Sequence, residues 1–308
     1  MRVVFMGTSS FAVPVLEAII KSRHKIKAVV TKPDRPAGRG LYTMASSVKG
    51  AALAHGLKIL QPESLQDAEA KKAVLEASPE IVVVVAYGKI LPSWVFDEVP
   101  LGAINVHGSL LPSYRGAAPI QRVIIDGQLE TGVTIIQMDE GLDTGDILEQ
   151  SKIAIGDEET AGELGTRMAG VGAALVLELL DRAEKGTVSG KRQPEEASYA
   201  AKIEKEAARI DFNKKPKEIH DLIRALNPYP GAYAMVNGKR LKVWRARVVE
   251  ADKQGIPGMI AALDATGIDV MCGKGSLRLL EVQPENKKSM TAAEFAHGSR
   301  LRIGDMIE

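Results

Sequence analysis

Residues 81–107, IVVVVAYGKILPSWVFDEVPLGAINVH, decide the fold. They hold two apolar runs, near 81–86 and 103–107, that are β-branched or small and do not alternate with polar residues. A strand with one wet face alternates, whereas a strand that is apolar on both sides is covered on both sides, the habit of parallel strands between layers of helices. The flanking chain repeats the theme from residue 1 to about 155, with RVVFM, FAVPVLEAIIKS, IKAVVT, VKGAALAHG, APIQRVIID and TGVTIIQM alternating short apolar runs with amphipathic segments. Strand, helix, strand, helix in that order predicts an open α/β fold: a doubly wound, mostly parallel sheet with right-handed crossovers. A longer helix is predicted over about 160–184, capped by Thr160, where Leu164, Met168, Val171, Leu175, Leu179 and Leu180 recur at helical spacing.

The grammar then changes. The stretch EKGTVSGKRQPEEASYAAKIEKEAAR is polar and carries the turn signals Gly186, Gly190 and Pro194, so it is the candidate linker. Beyond it come one helix, PKEIHDLIRAL, and the short runs GAYAMV, LKVWRARVV, GMIAAL, GIDVMC and SLRLLEVQ, broken by Asn237-Gly238, Pro257-Gly258, Thr266-Gly267 and Gly273-Lys274-Gly275. Closely spaced strands with turn dipeptides predict a smaller antiparallel β-barrel of the oligonucleotide-binding (OB-like) kind. The expected division is residues 1–188, a linker over 189–207, and the barrel over 208–308.

A chain of 308 residues has room for two domains, and its 45% hydrophobic and 26% charged residues, with a mean hydropathy of -0.03, are those of an ordinary soluble globular protein. The single cysteine, Cys272, excludes an internal disulfide framework and suits a reducing compartment. The opening MRVVFM is too short for a signal-peptide core, and no run approaches the ~20 apolar residues of a membrane span, so a cytoplasmic protein is expected. The net charge of +1 hides an asymmetry: residues 205–308 hold 18 Lys+Arg against 13 Asp+Glu, and the first 204 hold 22 against 26. The basic C-terminal third suits a polyanionic partner, most simply nucleic acid, and equally a merely solvated charged surface.

Asn105 and His107 spoil the second of the two buried runs. Two apart in a strand, they project to one side, and Gly108 ends the strand directly after them. The carboxyl ends of parallel strands face the ligand crevice. An amide and an imidazole there can donate hydrogen bonds to one developing oxyanion, worth about 3 kcal/mol per donor. The alternative is that each satisfies neighbouring loop backbone. Downstream, MDEGLDTGDI sets Asp139, Glu140, Asp143 and Asp146 around Gly141 and Gly145, a turn from which a carboxylate can orient and charge an imidazole. Asp143, between the glycines, is the favoured member, against the alternative of a plain hydrophilic turn.

Residues 31–49, TKPDRPAGRGLYTMASSVK, form a long connection after the second strand, stiffened by Pro33 and Pro36; it carries Lys32, Arg35, Arg39 and Lys49, and its arginines suit phosphates. Sharper motifs are missing. GTSSF after the first strand lacks the second and third glycines of a dinucleotide loop. The five histidines, at 24, 55, 107, 220 and 297, lie far apart, and neither H-E-x-x-H nor C-x-x-C occurs, so no metal is expected. Ser109, in HGSLL, lacks the closing glycine of a serine-hydrolase elbow.

Together these segments resemble the methionyl-tRNA formyltransferase family. The likeness is carried by FMGTSSFAVPVLEAI, PDRPAGRG, VVAYGKILP, INVHGSLLPSYRGAAPIQRVI and GVTIIQMDEGLDTGDIL, and it continues through YAAKIEKEAARIDF and NPYPGAY over nearly the whole chain. The resemblance implies a Rossmann-like formyltransferase fold and formyl transfer from 10-formyltetrahydrofolate to the α-amine of methionine on initiator tRNA, without a metal. It also implies that Asn105, His107 and Asp143 are the catalytic residues. Folate is implied to lie along Ala86, Tyr87, Gly88, Ile90 and Leu91 and the turn of Asp139, Glu140 and Gly141, with Ser109, Leu110, Leu111 and Pro112 shaping the donor pocket. The basic C-terminal domain and the 31–49 loop, through Arg35, Arg39, Tyr42 and Lys49, are implied to meet the tRNA, and a monomer is expected. The sequence departs from the family pattern at Leu41-Tyr42-Thr43, where a lysine pair is common, at Ala45-Ser46-Ser47, where the usual exit is proline-rich, and at Gly108, often alanine. Tyr42 is left to stack on an unpaired base. Rival readings are a formyltransferase for a nucleotide-linked amino sugar, a formyl-tetrahydrofolate hydrolase, and a catalytically inert RNA-binding module.

Overall fold

The computed structural model describes residues 1–37, 42–250 and 255–308, except the side chains of residues 36, 37, 42, 43 and 250. Contacts divide it into two units: residues 1–119, 130–154 and 165–200, and residues 120–129, 155–164 and 201–308.

The first unit is built on a seven-stranded sheet. Its strands are β1 (Arg2–Gly7), β2 (Lys25–Val30), β3 (Ile59–Leu60), β4 (Ile81–Val85), β5 (Ala103–His107), β6 (Glu130–Gln137) and β7 (Ile147–Ala154), in the order β7-β6-β5-β4-β1-β2-β3. The first five are parallel, and β6 and β7 close one edge antiparallel. Every residue of β4 is buried, as its unbroken apolar run requires. From β1 the chain first winds outward to β2 and β3 and then returns to β4 on the other flank. A switch point therefore lies between β1 and β4, where a crevice opens at the strands' carboxyl ends.

Helices α1 (Val13–Lys21), α2 (Ser47–Ala54) and α3 (Ala68–Leu75) connect the parallel strands, and α4 (Pro119–Ile125) follows β5. The long helix α5 (Ala161–Glu184) starts where Thr160 predicts it. Glu163 N–H donates to the Thr160 hydroxyl at 3.2 Å, and the Glu163 carboxylate accepts from Thr160 N–H at 2.9 Å, a reciprocal cap. Its glycine at 172 lets the helix backbone approach β5 closely: a Cβ there would fall 2.9 Å from Val106 Cγ1. Strand β7 was not signalled by hydrophobic pattern, because as an edge strand it leaves most of ILEQSKIA half-buried or exposed. The described residues of the 31–49 stretch are also more regular than a loop. Arg35–Ala37 pairs antiparallel with Tyr42–Met44, and the Ser46 hydroxyl caps α2 by accepting from Lys49 N–H at 3.0 Å.

The second unit carries an antiparallel sheet of β8 (Ala232–Val236), β9 (Lys239–Glu250), β10 (Ile260–Asp264), β11 (Gly267–Met271), β12 (Ser276–Pro284) and β13 (Met290–Thr291). The order is β8-β9-β12-β11-β10, with β13 on β12. The C-terminal residues close it into a barrel: Met306 bridges Met259 beside β10, while Glu308 exchanges backbone hydrogen bonds with Met235 of β8. Ile219 and Ile223 of α6 (Pro216–Ala225) pack with Val243, Ile260, Leu277 and Leu279 in its core, and α7 (Ala292–Ser299) adds Phe295. A fully buried side chain of this kind contributes about 1.5–3 kcal/mol. No helix among the described residues is long and apolar enough to cross a membrane.

Candidate active site

Asn105 and His107 lie at the carboxyl end of β5 with side chains on one face of the sheet, opposite the Val106 face that α5 covers. Burial differs: His107 is 5% exposed and Asn105 is half-buried. His107 Nε2 is 2.9 Å from the Tyr114 carbonyl oxygen. A carbonyl only accepts, so Nε2 carries a proton and Nδ1 is the nitrogen left for chemistry. Nδ1 lies 3.5 Å from Asp143 Oδ2.

The structure brings Asp143 to both. Its Oδ1 accepts from Asn105 Nδ2 at 3.3 Å, and its Oδ2 accepts from Gly116 N–H at 2.8 Å. An amide has two N–H groups, so Asn105 retains one without a partner among the described residues. Asp143 sits at φ +54°, a left-handed conformation that an aspartate adopts only when its surroundings hold it. Gln193 supplies the hold, its Nε2 donating to the carbonyls of Asp143 at 2.8 Å and Gly145 at 2.7 Å. Gln193 Oε1 in turn accepts from the buried Arg115 guanidinium at 2.7 and 3.2 Å. Gly145 is required, since a Cβ there would run into the Gln137 carbonyl.

The loop after β5 is clamped by the same C-terminal stretch. Arg115–Gly116 pairs with Tyr199–Ala200, and Tyr114 N–H donates to Ser198 Oγ at 2.9 Å. Gln193, Arg115, Gly116 and Ser198 were not singled out from sequence. Gln193 acts on a loop 50 residues earlier, and nothing local in KRQPEE signals it.

The residues expected along the donor differ in surroundings. Ser109 and Leu111 are buried, with Ser109 Oγ donating to Ser113 O at 2.6 Å, and Leu110 and Pro112 are half-buried. Ala86 and Gly88 are exposed, and Ile90 is 90% exposed. Leu91 and Tyr87 are buried, and burial pushes the Tyr87 phenol up to about 12. Asp139, Glu140 and Gly141 are exposed, with Asp139 accepting from Gly141 N–H and Thr144 Oγ1. Asp146 is exposed. Of the residues expected to meet tRNA, Arg35 is exposed, 3.3 Å from an equally exposed Glu63. Lys49 is committed to Asp34, which Gln61 also holds, and the Lys49 bond keeps the Asp34 carboxyl below the usual carboxylate range. Arg39 lies outside the described residues, as does the Tyr42 side chain.

A cavity of about 380 Å³ lies under α5, lined by Ile81, Leu101, Ile104, Leu148 and Leu179. It is mainly apolar and includes none of the trio, so the polar cluster on β5 identifies the chemistry better than this hollow does.

The model of the family described as "Formyl transferase" matches residues 1–180, and that described as "Formyl transferase, C-terminal domain" matches residues 202–300. The chain is similar to methionyl-tRNA formyltransferase of Solibacter usitatus, at 46% identity covering 100% of this chain and 98% of the relative. It is similar to methionyl-tRNA formyltransferase of Coxiella burnetii at 44% identity, covering 100% and 99%. Its fold resembles that of HypX from Aquifex aeolicus in complex with tetrahydrofolic acid, with a TM-score of 0.67 and 19% identity over 96% of this chain and 47% of HypX.

Proposed function

The chain belongs to the methionyl-tRNA formyltransferase family, and from that membership we propose that it transfers the formyl group of 10-formyltetrahydrofolate to the α-amine of methionine esterified to initiator tRNA. One observation supports the chemistry most: the Asp143 carboxylate within 3.5 Å of His107 Nδ1 and 3.3 Å of Asn105 Nδ2 at the exit of a buried parallel strand.

In this reading the methionyl amine attacks the planar formyl carbon, a C–N bond forms, and the carbonyl π pair moves onto oxygen. That oxyanion needs donors already in place. Asn105 offers its remaining amide N–H. His107, anchored through Nε2 by the Tyr114 carbonyl, donates from Nδ1 in its imidazolium form, beside the Asp143 carboxylate. The attacking nitrogen loses its proton to Asp143, directly or through water, and the folate nitrogen leaves with a proton when the intermediate collapses. The products are the formyl-aminoacyl ester and tetrahydrofolate. Exposed Ile90 and Leu142, on the loops after β4 and β6, give the flat donor apolar contact, and half-buried Leu110 and Pro112 line its other side over the buried Ser109 and Leu111. The tRNA would meet Arg35, Arg39 and Tyr42, with Lys49 bracing that segment through Asp34, and the basic C-terminal unit. A cytoplasmic monomer acting in translation initiation completes the reading.

The test is a formylation assay with methionyl initiator tRNA and 10-formyltetrahydrofolate, beside elongator methionyl-tRNA and a nucleotide-linked amino sugar. Product on the initiator tRNA is expected, and His107→Ala and Asn105→Ala should each lower kcat about 100-fold with little change in tRNA affinity. Formylation of the sugar alone, or full turnover by both variants, refutes the reading.

A further inference from the structure

Lys32 leaves the end of β2 half-buried. Its ammonium reaches the loop after β4: a Cβ at Gly88, where φ is +69°, would come within 2.6 Å of Lys32 Nζ. Since β1 lies between β2 and β4, the side chain crosses the crevice at the switch point of the sheet.

The neighbouring cations are already engaged. Lys89 Nζ donates to the carbonyls of Pro62 and Glu63, and Arg35 faces the Glu63 carboxylate. Lys32 Nζ has no hydrogen-bond or ion-pair partner among the described residues. Burial lowers its pKa, and the nearby charges of Lys89 and Arg35 lower it further. A desolvated ammonium flanked by like charges and lacking a counter-charge is unfavourable by itself and is relieved by an incoming anion.

We propose that Lys32 is a subsite for a backbone phosphate of the single-stranded 3′ end of the tRNA. The position favours this anion. Three strand spacings, about 14 Å, separate β2 from β5, so a strand whose last ribose presents its amine at His107 has its preceding phosphates to place along the crevice. Lys32 also lies just before the strand Arg35–Ala37 that pairs with Tyr42–Met44, in the segment where the tRNA is read to arrive. A lysine serves a phosphodiester as a compact point charge, without the bidentate geometry a carboxylate of the donor's tail would reward in an arginine.

The assignment rests on the tRNA reading above. It is tested in the full chain with Lys32→Gln and Lys32→Arg, measuring kcat, KM for methionyl-tRNA and KM for 10-formyltetrahydrofolate across a salt series. For Lys32→Gln the KM for tRNA should rise about fivefold and the slope of log KM against log salt should shallow by about 0.7, with kcat and the folate KM within about twofold of the parent. Lys32→Arg should restore the slope, and the Lys32→Gln melting temperature should equal or exceed the parent's. An unchanged tRNA KM and slope overturns the proposal. A raised folate KM with tRNA unaffected overturns it too, placing the donor's carboxylate there instead. If the parent itself fails to formylate tRNA, the functional reading has failed, whereas an active parent with an indifferent variant removes only the role of Lys32.

Discussion

Asp143 is where the local sequence and the tertiary structure disagree most. Its backbone lies in the left-handed region between two glycines, and its carboxylate is spent on Asn105, Gly116 and His107 rather than on its own turn. The two residues on β5 were legible because an amide and an imidazole interrupt an otherwise apolar strand. The acid was legible only as one of four, and its choice depended on the glycines either side of it. Gln193 was invisible, because its contribution is two hydrogen bonds to loop carbonyls from a segment that reads as connector. Gln193→Ala should therefore free the Asp143 loop without touching substrate. A drop in kcat of about tenfold is expected, the scale of one to two lost neutral hydrogen bonds, with KM for tRNA unchanged. Gln193→Glu should be worse for the loop, since a carboxylate cannot donate to the two carbonyls, although it would pair well with Arg115. A kcat matching the parent in both variants would show that the loop holds itself.

At the scale of elements, a sequence reveals what burial enforces. Strand β4 is covered on both faces and so had to be apolar throughout, β5 is apolar but for its two site residues, and the start of α5 was marked in the sequence by Thr160. Strand β7 is the edge strand of its sheet, bridged on its outer side by Lys191 at Ile147, and most of it is half-buried or exposed, so nothing forced ILEQSKIA into a strand-like pattern. Closure of the barrel by residues 306–308 was equally silent, being backbone hydrogen bonding between distant segments. The packing of α5 on β5 ties this scale to the site, because Val106 stands between Asn105 and His107 and meets the helix at Gly172. Gly172→Ala gains up to about 1 kcal/mol in helix propensity, but it drives a methyl into a stiff, buried β-branched neighbour, for which about 1–3 kcal/mol is the usual penalty. The variant should melt earlier and lose turnover together, since the strand carrying both donors has to shift. Adding Val106→Ala should recover much of the turnover. If Gly172→Ala raises the melting temperature and leaves kcat intact, the helix has room that the coordinates deny.

For the whole molecule, the decisive fact is that the chain passes between the two units five times before it ends. Residues 120–129 and 155–164 belong to the second unit although both neighbouring stretches belong to the first. The segment 155–164 is pinned within its unit by a buried ionic cluster: Arg224 donates to the carbonyls of Gly156 and Glu159 and to Asp221, which also accepts from Lys217. Removing one partner strands the other, so Asp221→Asn leaves the Arg224 guanidinium buried without its counter-charge, at a cost of about 3 kcal/mol or more. The protein carries its own reporters. Trp94 lies in the first unit and Trp244 in the second, so Trp94→Phe and Trp244→Phe each leave one fluorophore. Cys272, whose thiol burial pushes up to about 12, resists alkylation until the barrel opens. Because the threading makes loss of the second unit release two tethers of the first, both tryptophans should melt together, both midpoints should fall in Asp221→Asn, and Cys272 labelling should rise at that same temperature. A Trp94 midpoint that stays at the parent value while Trp244 and Cys272 report early opening would mean that the threaded segments bind the units too weakly to make them unfold as one.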